Sequence, residues 1–189
     1  MKGGTGIKPF PLLLMLGNDI IDLKEAGNIT IRHVKKIFSS FEEKIHDIEN
    51  YWKILAIKEA AFKCLQQMFD IESYVPKTFE VSNDFKFVVW NDMKLSVIKL
   101  EETNDIIHAI VSAKPDTKIY SGICDNGIHK EVLVKEYTKI TGYEANKIVK
   151  ENNPKSPNGF KPPYIKENPG IPISFSHDGR VAAWCFQLF

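Results

Sequence analysis

The sequence predicts an α+β protein with two halves of similar architecture. Residues 51–69 contain neither Gly nor Pro and have the periodicity of a buried helix. Apolar segments before and after this helix end at turn-forming residues, as β-strands do. The order strand, helices, strands occurs once before Pro115 and again after it, so we expect one α+β arrangement to be repeated.

Local signals define each element of the first half. The predicted elements are a strand over residues 12–16, helical stretches over 30–38 and 40–50, the main helix over 51–69, a hairpin of strands over 77–89 and 94–100, and a strand over 106–113. Gly17-Asn18-Asp19 is expected to end the first strand as a turn. Ser39 or Ser40 can cap the second helical stretch, with Glu42 and Glu43 in its first turn, where the helix dipole favours carboxylates.

The second half follows the same order. Its predicted elements are a strand over residues 118–124, helices over 130–140 and 144–151, and strands over 173–176 and 181–188. Residues 153–172 hold six of the ten prolines, so they are expected to form a loop, because proline lacks the backbone donor and blocks helix continuation. His177-Asp178-Gly179 is expected to be the turn between the last two strands.

Composition excludes several classes of function. The 189 residues include 25 Lys and Arg against 24 Asp and Glu, so no overall field attracts nucleic acid or an anionic membrane, and any anion site must be local. Cys64, Cys124 and Cys185 are widely separated and odd in number, which argues against a disulfide framework or a four-cysteine zinc site. A reducing, cytoplasmic location fits this pattern.

The apolar N-terminus does not resemble a signal peptide. Its apolar run is shorter than the ~20 residues that span a bilayer, contains Pro9 and Pro11, and leads into an acidic segment without a cleavage site. Translation from Met15 is an alternative that the sequence leaves open. We expect a flexible leader over residues 1–14, a first half over 15–115 and a second half over 116–189.

Polar residues interrupt apolar sequence at three sites. Asp19 follows an apolar strand, where a carboxylate is unfavourable unless a cation or donors meet it. Glu59 and Lys63, four residues apart, point to the same side of the main helix. Ser176 and His177 end an apolar strand at a tight turn. Each site has a simpler explanation. Asp19 could cap a turn, Glu59 and Lys63 could form a surface ion pair contributing about 0.3–0.5 kcal/mol, and His177 could be a structural histidine.

Taken together, these segments resemble the 4'-phosphopantetheinyl transferase family. Gly17-Asn18-Asp19-Ile20 is similar to its G-x-D-I motif, and Ser174-Phe175-Ser176-His177 to its S-x-S-H motif. Trp52 with residues 58–63, Lys-Glu-Ala-Ala-Phe-Lys, resembles W-x-x-K-E-A-x-x-K. Gly159-Phe160-Lys161-Pro162 is similar to the G-K-P loop with one extra residue. The motifs extend over nearly the whole chain.

The resemblance also implies an architecture. The motif order is that of the small trimeric holo-acyl-carrier-protein synthases, but more than a hundred residues separate Lys63 from His177, enough for a second half. The chain therefore resembles a monomeric, surfactin-type pseudodimer with its halves in permuted order. That class carries a second acid where Ile21 stands here, and Asp22 lies on the opposite strand face. A metal site with two carboxylates is therefore expected.

The implied reaction transfers the 4'-phosphopantetheine arm of coenzyme A to a serine of an apo acyl or peptidyl carrier protein, releasing 3',5'-ADP. The resemblance implies Asp19 and Glu59 as ligands of Mg²⁺, with Glu59 or a water that it orients as the base. Lys63 would neutralise charge on the departing nucleotide. The remaining implied contacts with coenzyme A are Lys58, Lys161, Ser176 and His177.

Two other functions remain as alternatives. One is a different Mg²⁺-dependent phosphoryl-transfer or phosphodiester-cleaving enzyme, although such enzymes usually cluster three or more carboxylates for two metals. The other is a non-catalytic relative that binds carrier proteins or nucleotides, whose signature would be a missing metal acid or a missing Lys63. The sequence does not indicate whether the carrier serves fatty acids, polyketides or peptides.

Overall fold

A five-stranded antiparallel sheet and a helix that crosses it form the first half of the chain. The computed structural model describes residues 15–69, 71, 73–116, 118–155, 159 and 161–188, so the predicted leader lies outside the described residues. In chain order, the strands of this sheet are β1 (Leu16–Asp22), β2 (Phe79–Val81), β3 (Phe87–Trp90), β4 (Met93–Glu102) and β5 (Ile106–Ser112). Their order in the sheet is β1-β5-β4-β3-β2.

The second half contains a smaller antiparallel sheet. Its strands are β6 (Lys118–Asp125), β9 (Ile173–Asp178) and β10 (Val181–Leu188), in the order β6-β10-β9, and the separate pair is β7 (Ile148–Val149) and β8 (Tyr164–Ile165). The mixed α+β class predicted from the sequence is thus confirmed. Among the described residues, no helix is both long and apolar enough to cross a membrane.

One long helix covers each of the larger sheets. The helices are α1 (Ile31–Ile37), α2 (Glu42–Ile45), α3 (Tyr51–Gln66) and α4 (His129–Thr141), with 3₁₀ turns at Ile48–Asn50 and Pro76–Thr78. Helix α3 packs against β1 and β5, and α4 packs against β6 and β10. Thr30 caps α1 through its hydroxyl, which accepts from the backbone N–H of His33.

The two halves share a strand order. In each, the first strand pairs with the last strand, and the last strand pairs with the one before it, which gives β1-β5-β4 and β6-β10-β9. In each, the long helix comes between the first strand and the later ones. The first half adds β2 and β3 beyond β4.

Strands β1 and β9, each at an edge of its sheet, meet where the halves join. The backbone N–H of Asn18 donates to the Ser174 hydroxyl at 3.1 Å, and that of Asp22 donates to the Asp178 carboxylate at 2.9 Å. The amide of Gln67 bonds both backbone groups of Leu16 and also donates to the carbonyl of Ile173. Side chains therefore provide hydrogen-bond partners for backbone groups of β1 along the edge that faces the second half.

The predicted turn at Gly17-Asn18-Asp19 is wrong, because these residues lie inside β1. The glycine serves a different purpose. A Cβ at Gly17 would overlap the carbonyl oxygen of Ala60 and lie 2.5 Å from the backbone nitrogen of Cys64, both in α3. Glycine is therefore required for strand and helix to approach closely, and not for a turn.

Other predicted elements differ in detail. No helix forms over residues 144–151, because Gly142 ends α4 in the left-handed conformation and Ile148–Val149 pairs with β8. The predicted strand over 77–89 is divided into a 3₁₀ turn, β2 and β3. His177 and Asp178 belong to β9, so the hairpin turn is Gly179-Arg180. The predicted helical stretch over residues 40–50 is reduced to α2 and a 3₁₀ turn.

Gly17→Ala tests the close approach of β1 and α3. We expect it to destabilise the protein by roughly 3 kcal/mol, as overpacking of a rigid backbone contact does. Gly27→Ala is the matched control, since nothing lies within 4 Å of a Cβ at that position. Urea denaturation measures both, and equal stabilities of the two variants would contradict the contact.

Candidate functional site

Asp19 and Lys63 form an ion pair between β1 and α3. Residues two apart in a strand share a face, so Asp19 points to α3 as Gly17 does. The Lys63 Nζ lies 2.6 Å from Asp19 Oδ1. The Asp19 side chain is nearly enclosed, whereas about a quarter of the Lys63 side chain is exposed. The structure thus brings together two of the predicted site residues across the sheet–helix contact.

Glu59 lies one helical turn before Lys63 and has an unusual pKa. Burial is the main cause that raises the pKa of Glu59 from 4.5 to about 7; the negative charge of Asp19 adds to it, and Lys63 opposes it. Burial also raises the pKa of Asp19, despite the neighbouring ammonium. The negative charge of Asp19 therefore acts on Glu59, which lies one helical turn from the lysine that pairs with Asp19.

These carboxylates fit a hard divalent cation. Burial and the negative charge of Asp178 raise the pKa of both acids, and the charge of Asp19 raises that of Glu59 as well; a bound cation would relieve these effects. Carboxylate oxygens are the ligands that Mg²⁺ prefers. Within the described part of the chain, no group of three or more His, Cys, Asp or Glu side chains is arranged to hold a metal.

A cationic cleft adjoins this pair of acids at the junction of the two halves. Its lining includes Lys63 from α3 and Lys150, Lys161, Ser174 and Phe175 from the second half. None of the described residues that line it is acidic. The Lys161 ammonium contacts Glu151 at 2.7 Å. The cleft suits an anionic ligand.

Ser176 and His177 point to opposite faces of β9. Ser176 shares its face with Ser174 and Asp178, which bond to β1, and its buried hydroxyl has no hydrogen-bond partner among the described residues. His177 is exposed on the α4 face, with its ring centre 6.0 Å from that of His129. The two side chains are therefore not placed to hold one ligand group together, contrary to our expectation.

Lys58 is not placed to contact coenzyme A, and that prediction is wrong. Its side chain is fully buried, and its ammonium donates to Glu42 and to the carbonyls of Ile37 and Pro76. An ammonium has three donors, so none remains for a phosphate. Lys58 instead ties α3 to the segments before α2 and before β2.

Asp22 is also engaged away from the acid pair. Its carboxylate accepts from the Arg180 guanidinium at 2.7 and 2.9 Å, which lowers the pKa of Asp22 to about 2. It therefore links β1 to the β9–β10 turn. Asp22 lies on the face of β1 opposite Asp19, as the strand alternation predicted.

Sequence reasoning missed several residues around the site. Gln67 has a sequence signal, because Glu59, Lys63 and Gln67 follow a four-residue spacing along one helix face. Asp178 has no local sequence signal, yet its charge raises the pKa of both Asp19 and Glu59.

Comparison with known proteins gave no match: neither a protein-family model, nor a curated protein, nor a solved structure is significantly similar to this chain. The chemistry and geometry of the site are therefore what bears on its function.

Lys58→Met tests the structural role of that lysine. We expect a loss of about 3–5 kcal/mol in unfolding free energy, since the Glu42 carboxylate would stay buried without its cation. Lys53→Met is the control on the same helix, because Lys53 pairs with Glu102 near the surface and should contribute about 1 kcal/mol or less. A Lys58→Met protein of wild-type stability would contradict this role.

Glu59→Gln should change how stability depends on pH. The folded-state pKa of Glu59 lies above its ordinary value, so the stability that its protonated form provides is lost as pH rises from about 4.5 through about 7. The variant should lie within about 1 kcal/mol of wild type at pH 5 and exceed it by about 3 kcal/mol at pH 8, at ~1.4 kcal/mol for each pKa unit.

Chemical denaturation at the two pH values measures this difference. Glu49→Gln, at an exposed acid, controls for the loss of one negative charge. If Glu59→Gln and wild type show the same change in stability between pH 5 and pH 8, Glu59 is not a buried acid of raised pKa.

Proposed function

We propose that this protein transfers the 4'-phosphopantetheine arm of coenzyme A to a serine of an apo carrier protein. One observation carries the proposal: Asp19 and Glu59 adjoin Lys63, and Lys63 lines a cleft together with lysines of the second half, at the junction of the two halves. Phosphoryl transfer from a diphosphate needs both an acidic metal site and cations for the phosphates. The motif resemblance supports the same reaction.

We further propose that the fold is a phosphopantetheinyl-transferase-like pseudodimer with its halves in permuted order. The shared strand order of β1-β5-β4 and β6-β10-β9 supports this. The contact of β1 with β9 also supports it, since a monomer would then supply internally the surface that a short chain obtains from a second subunit. The protein is proposed to act as a monomer.

Asp19 and Glu59 are the residues that would hold Mg²⁺. When bound, the ion supplies charge stabilisation to the diphosphate oxygens. Glu59, with a pKa of about 7, is suited to accept the proton of the carrier serine near neutral pH. Lys63 uses one of its three donors on Asp19, so the others can contact phosphate oxygens of the departing 3',5'-ADP.

The second half is proposed to hold the nucleotide end of coenzyme A. His177 is exposed at the end of β9, and the neighbouring positions of α4, His129 and Lys130, add positive charge or donors there. Lys161 lines the cleft on the same half. Ser176 contributes only indirectly, since its side chain faces β1.

A transfer assay tests the proposed function. The protein is incubated with coenzyme A, Mg²⁺ and a panel of apo carriers of fatty-acid, polyketide and peptide type, and mass spectrometry detects the added arm. Wild type should modify at least one carrier. Glu59→Gln should lose at least about 100-fold in rate, the usual contribution of a general base, while its far-ultraviolet spectrum stays native. Absence of the mass gain on every carrier would contradict the proposal.

His177→Ala is expected to weaken coenzyme A binding without slowing the chemical step. The side chain lies on the second half, whereas the acid pair is on the first half. Loss of one charge-assisted contact should raise KM by about tenfold and leave kcat unchanged. Steady-state kinetics separate the two constants. A fall in kcat at saturating coenzyme A with unchanged KM would show that His177 takes part in the chemistry instead.

A further inference from the structure

The hydroxyl of Ser176 has no hydrogen-bond partner among the described residues, although Ser176 is only 5% exposed. Buried polar groups in proteins are nearly always hydrogen-bonded, and one without a partner commonly marks a place where an ion or a ligand binds. A contact with the nucleotide, which the motif resemblance implied, would require an accessible side chain. The buried hydroxyl therefore has a different role.

Alternate residues of β9 follow alternate residues of β1 along the junction of the two halves. The Ser174 hydroxyl accepts from the backbone N–H of Asn18 at 3.1 Å, and the Asp178 carboxylate accepts from that of Asp22 at 2.9 Å. Ser176 is midway between these two β9 residues and shares their face of the strand. Its hydroxyl is therefore directed at the middle of this stretch of β1.

Asp19 belongs to that stretch of β1, and β9 is near enough to act on its charge. The negative charge of Asp178 raises the pKa of Asp19. Lys63, the ion-pair partner of Asp19, lines the cleft together with residues 174–175 of β9. Because Ser176 is flanked by these β9 residues, its hydroxyl faces the part of the junction that carries the acid.

The side-chain amide of Asn18 is also buried without a partner among the described residues, but it lies on the other face of β1 from Asp19. Leu16 shares that face, where it packs with Ile110 and Cys185. The Asn18 amide is therefore directed away from the acids, and Ser176 is the better candidate for an interaction with them.

We propose that Ser176 is a positioning residue of the Mg²⁺ site, and that its hydroxyl hydrogen-bonds an oxygen of the ion's coordination shell. Mg²⁺ is held by one or two carboxylates and keeps several waters, and the oxygens that bind a metal are themselves oriented by neighbouring hydrogen-bonding groups. A hydroxyl suits this task because it can both donate and accept. The inference rests on the proposed function, which requires Mg²⁺ at Asp19 and Glu59.

Calorimetric titration of Mg²⁺, into the protein alone and into the protein saturated with coenzyme A, tests this role. Ser176→Ala should weaken Mg²⁺ binding about tenfold, as loss of a group that orients metal ligands does. In urea without Mg²⁺, the same variant should unfold at the wild-type midpoint or above it, because it removes a buried hydroxyl that has no partner among the described residues.

Ser112→Ala is the matched control at the same junction. Ser112 is fully buried, and its hydroxyl bonds both the backbone N–H and the carbonyl of Lys114. The Gln187 amide of the second half also approaches this hydroxyl, at 3.5 Å. Ser112 does not line the cleft. This variant should therefore lower the urea midpoint and leave the affinity for Mg²⁺ unchanged.

Three results would overturn the inference. Equal Mg²⁺ affinities of wild type and Ser176→Ala would do so while leaving the proposed function intact. If the midpoint of Ser176→Ala falls as far as that of Ser112→Ala, the hydroxyl has a structural partner and the inference fails, whatever the Mg²⁺ affinity. If wild type binds no Mg²⁺, either alone or with coenzyme A, the proposed function fails and the inference fails with it.

Discussion

The candidate site depends on how closely strand β1 approaches helix α3. At Gly17 the strand has no side chain, and the backbone of α3 at Ala60 and Cys64 takes up that space. Asp19, on the same strand face, consequently reaches Lys63 at 2.6 Å. A larger residue at position 17 would separate strand and helix, and the charged groups with them. The electrostatics of the site thus follow from a contact between two backbones.

The opposite edge of β1 brings in the second half. Its backbone N–H groups at Asn18 and Asp22 donate to side chains of β9, and the Asp22 carboxylate binds Arg180. Because side chains accept these backbone hydrogen bonds, β1 and β9 need no continuous set of backbone hydrogen bonds between the two sheets. The junction therefore leaves room for a cleft beside the acid pair, and the lysines of the second half line it. Acids from one half and cations from the other meet only because β1 contacts both.

Local sequence signals predicted the features that depend on residues close together in the chain. The four-residue spacing of Glu59 and Lys63 placed both on one helix face, and the α+β class followed from the order of the elements. Local sequence signals failed where a residue distant in the chain determines the conformation or the burial of a side chain. Gly17 suggested a turn because its reason, the backbone of α3, lies more than forty residues away. The burial of Lys58 depends on Glu42 and two loop carbonyls, and the Asp22–Arg180 pair joins residues 158 apart, so neither has a local pattern.

The central claim is that the acid pair and the cationic cleft act on one ligand. Titration of coenzyme A by calorimetry, with and without Mg²⁺, tests it most directly, because binding to a shared site couples the two affinities reciprocally. The account predicts that Mg²⁺ tightens coenzyme A binding, that coenzyme A tightens Mg²⁺ binding by the same factor, and that Asp19→Asn removes this coupling. Coenzyme A affinity that is unchanged by Mg²⁺ in the wild-type protein would contradict it.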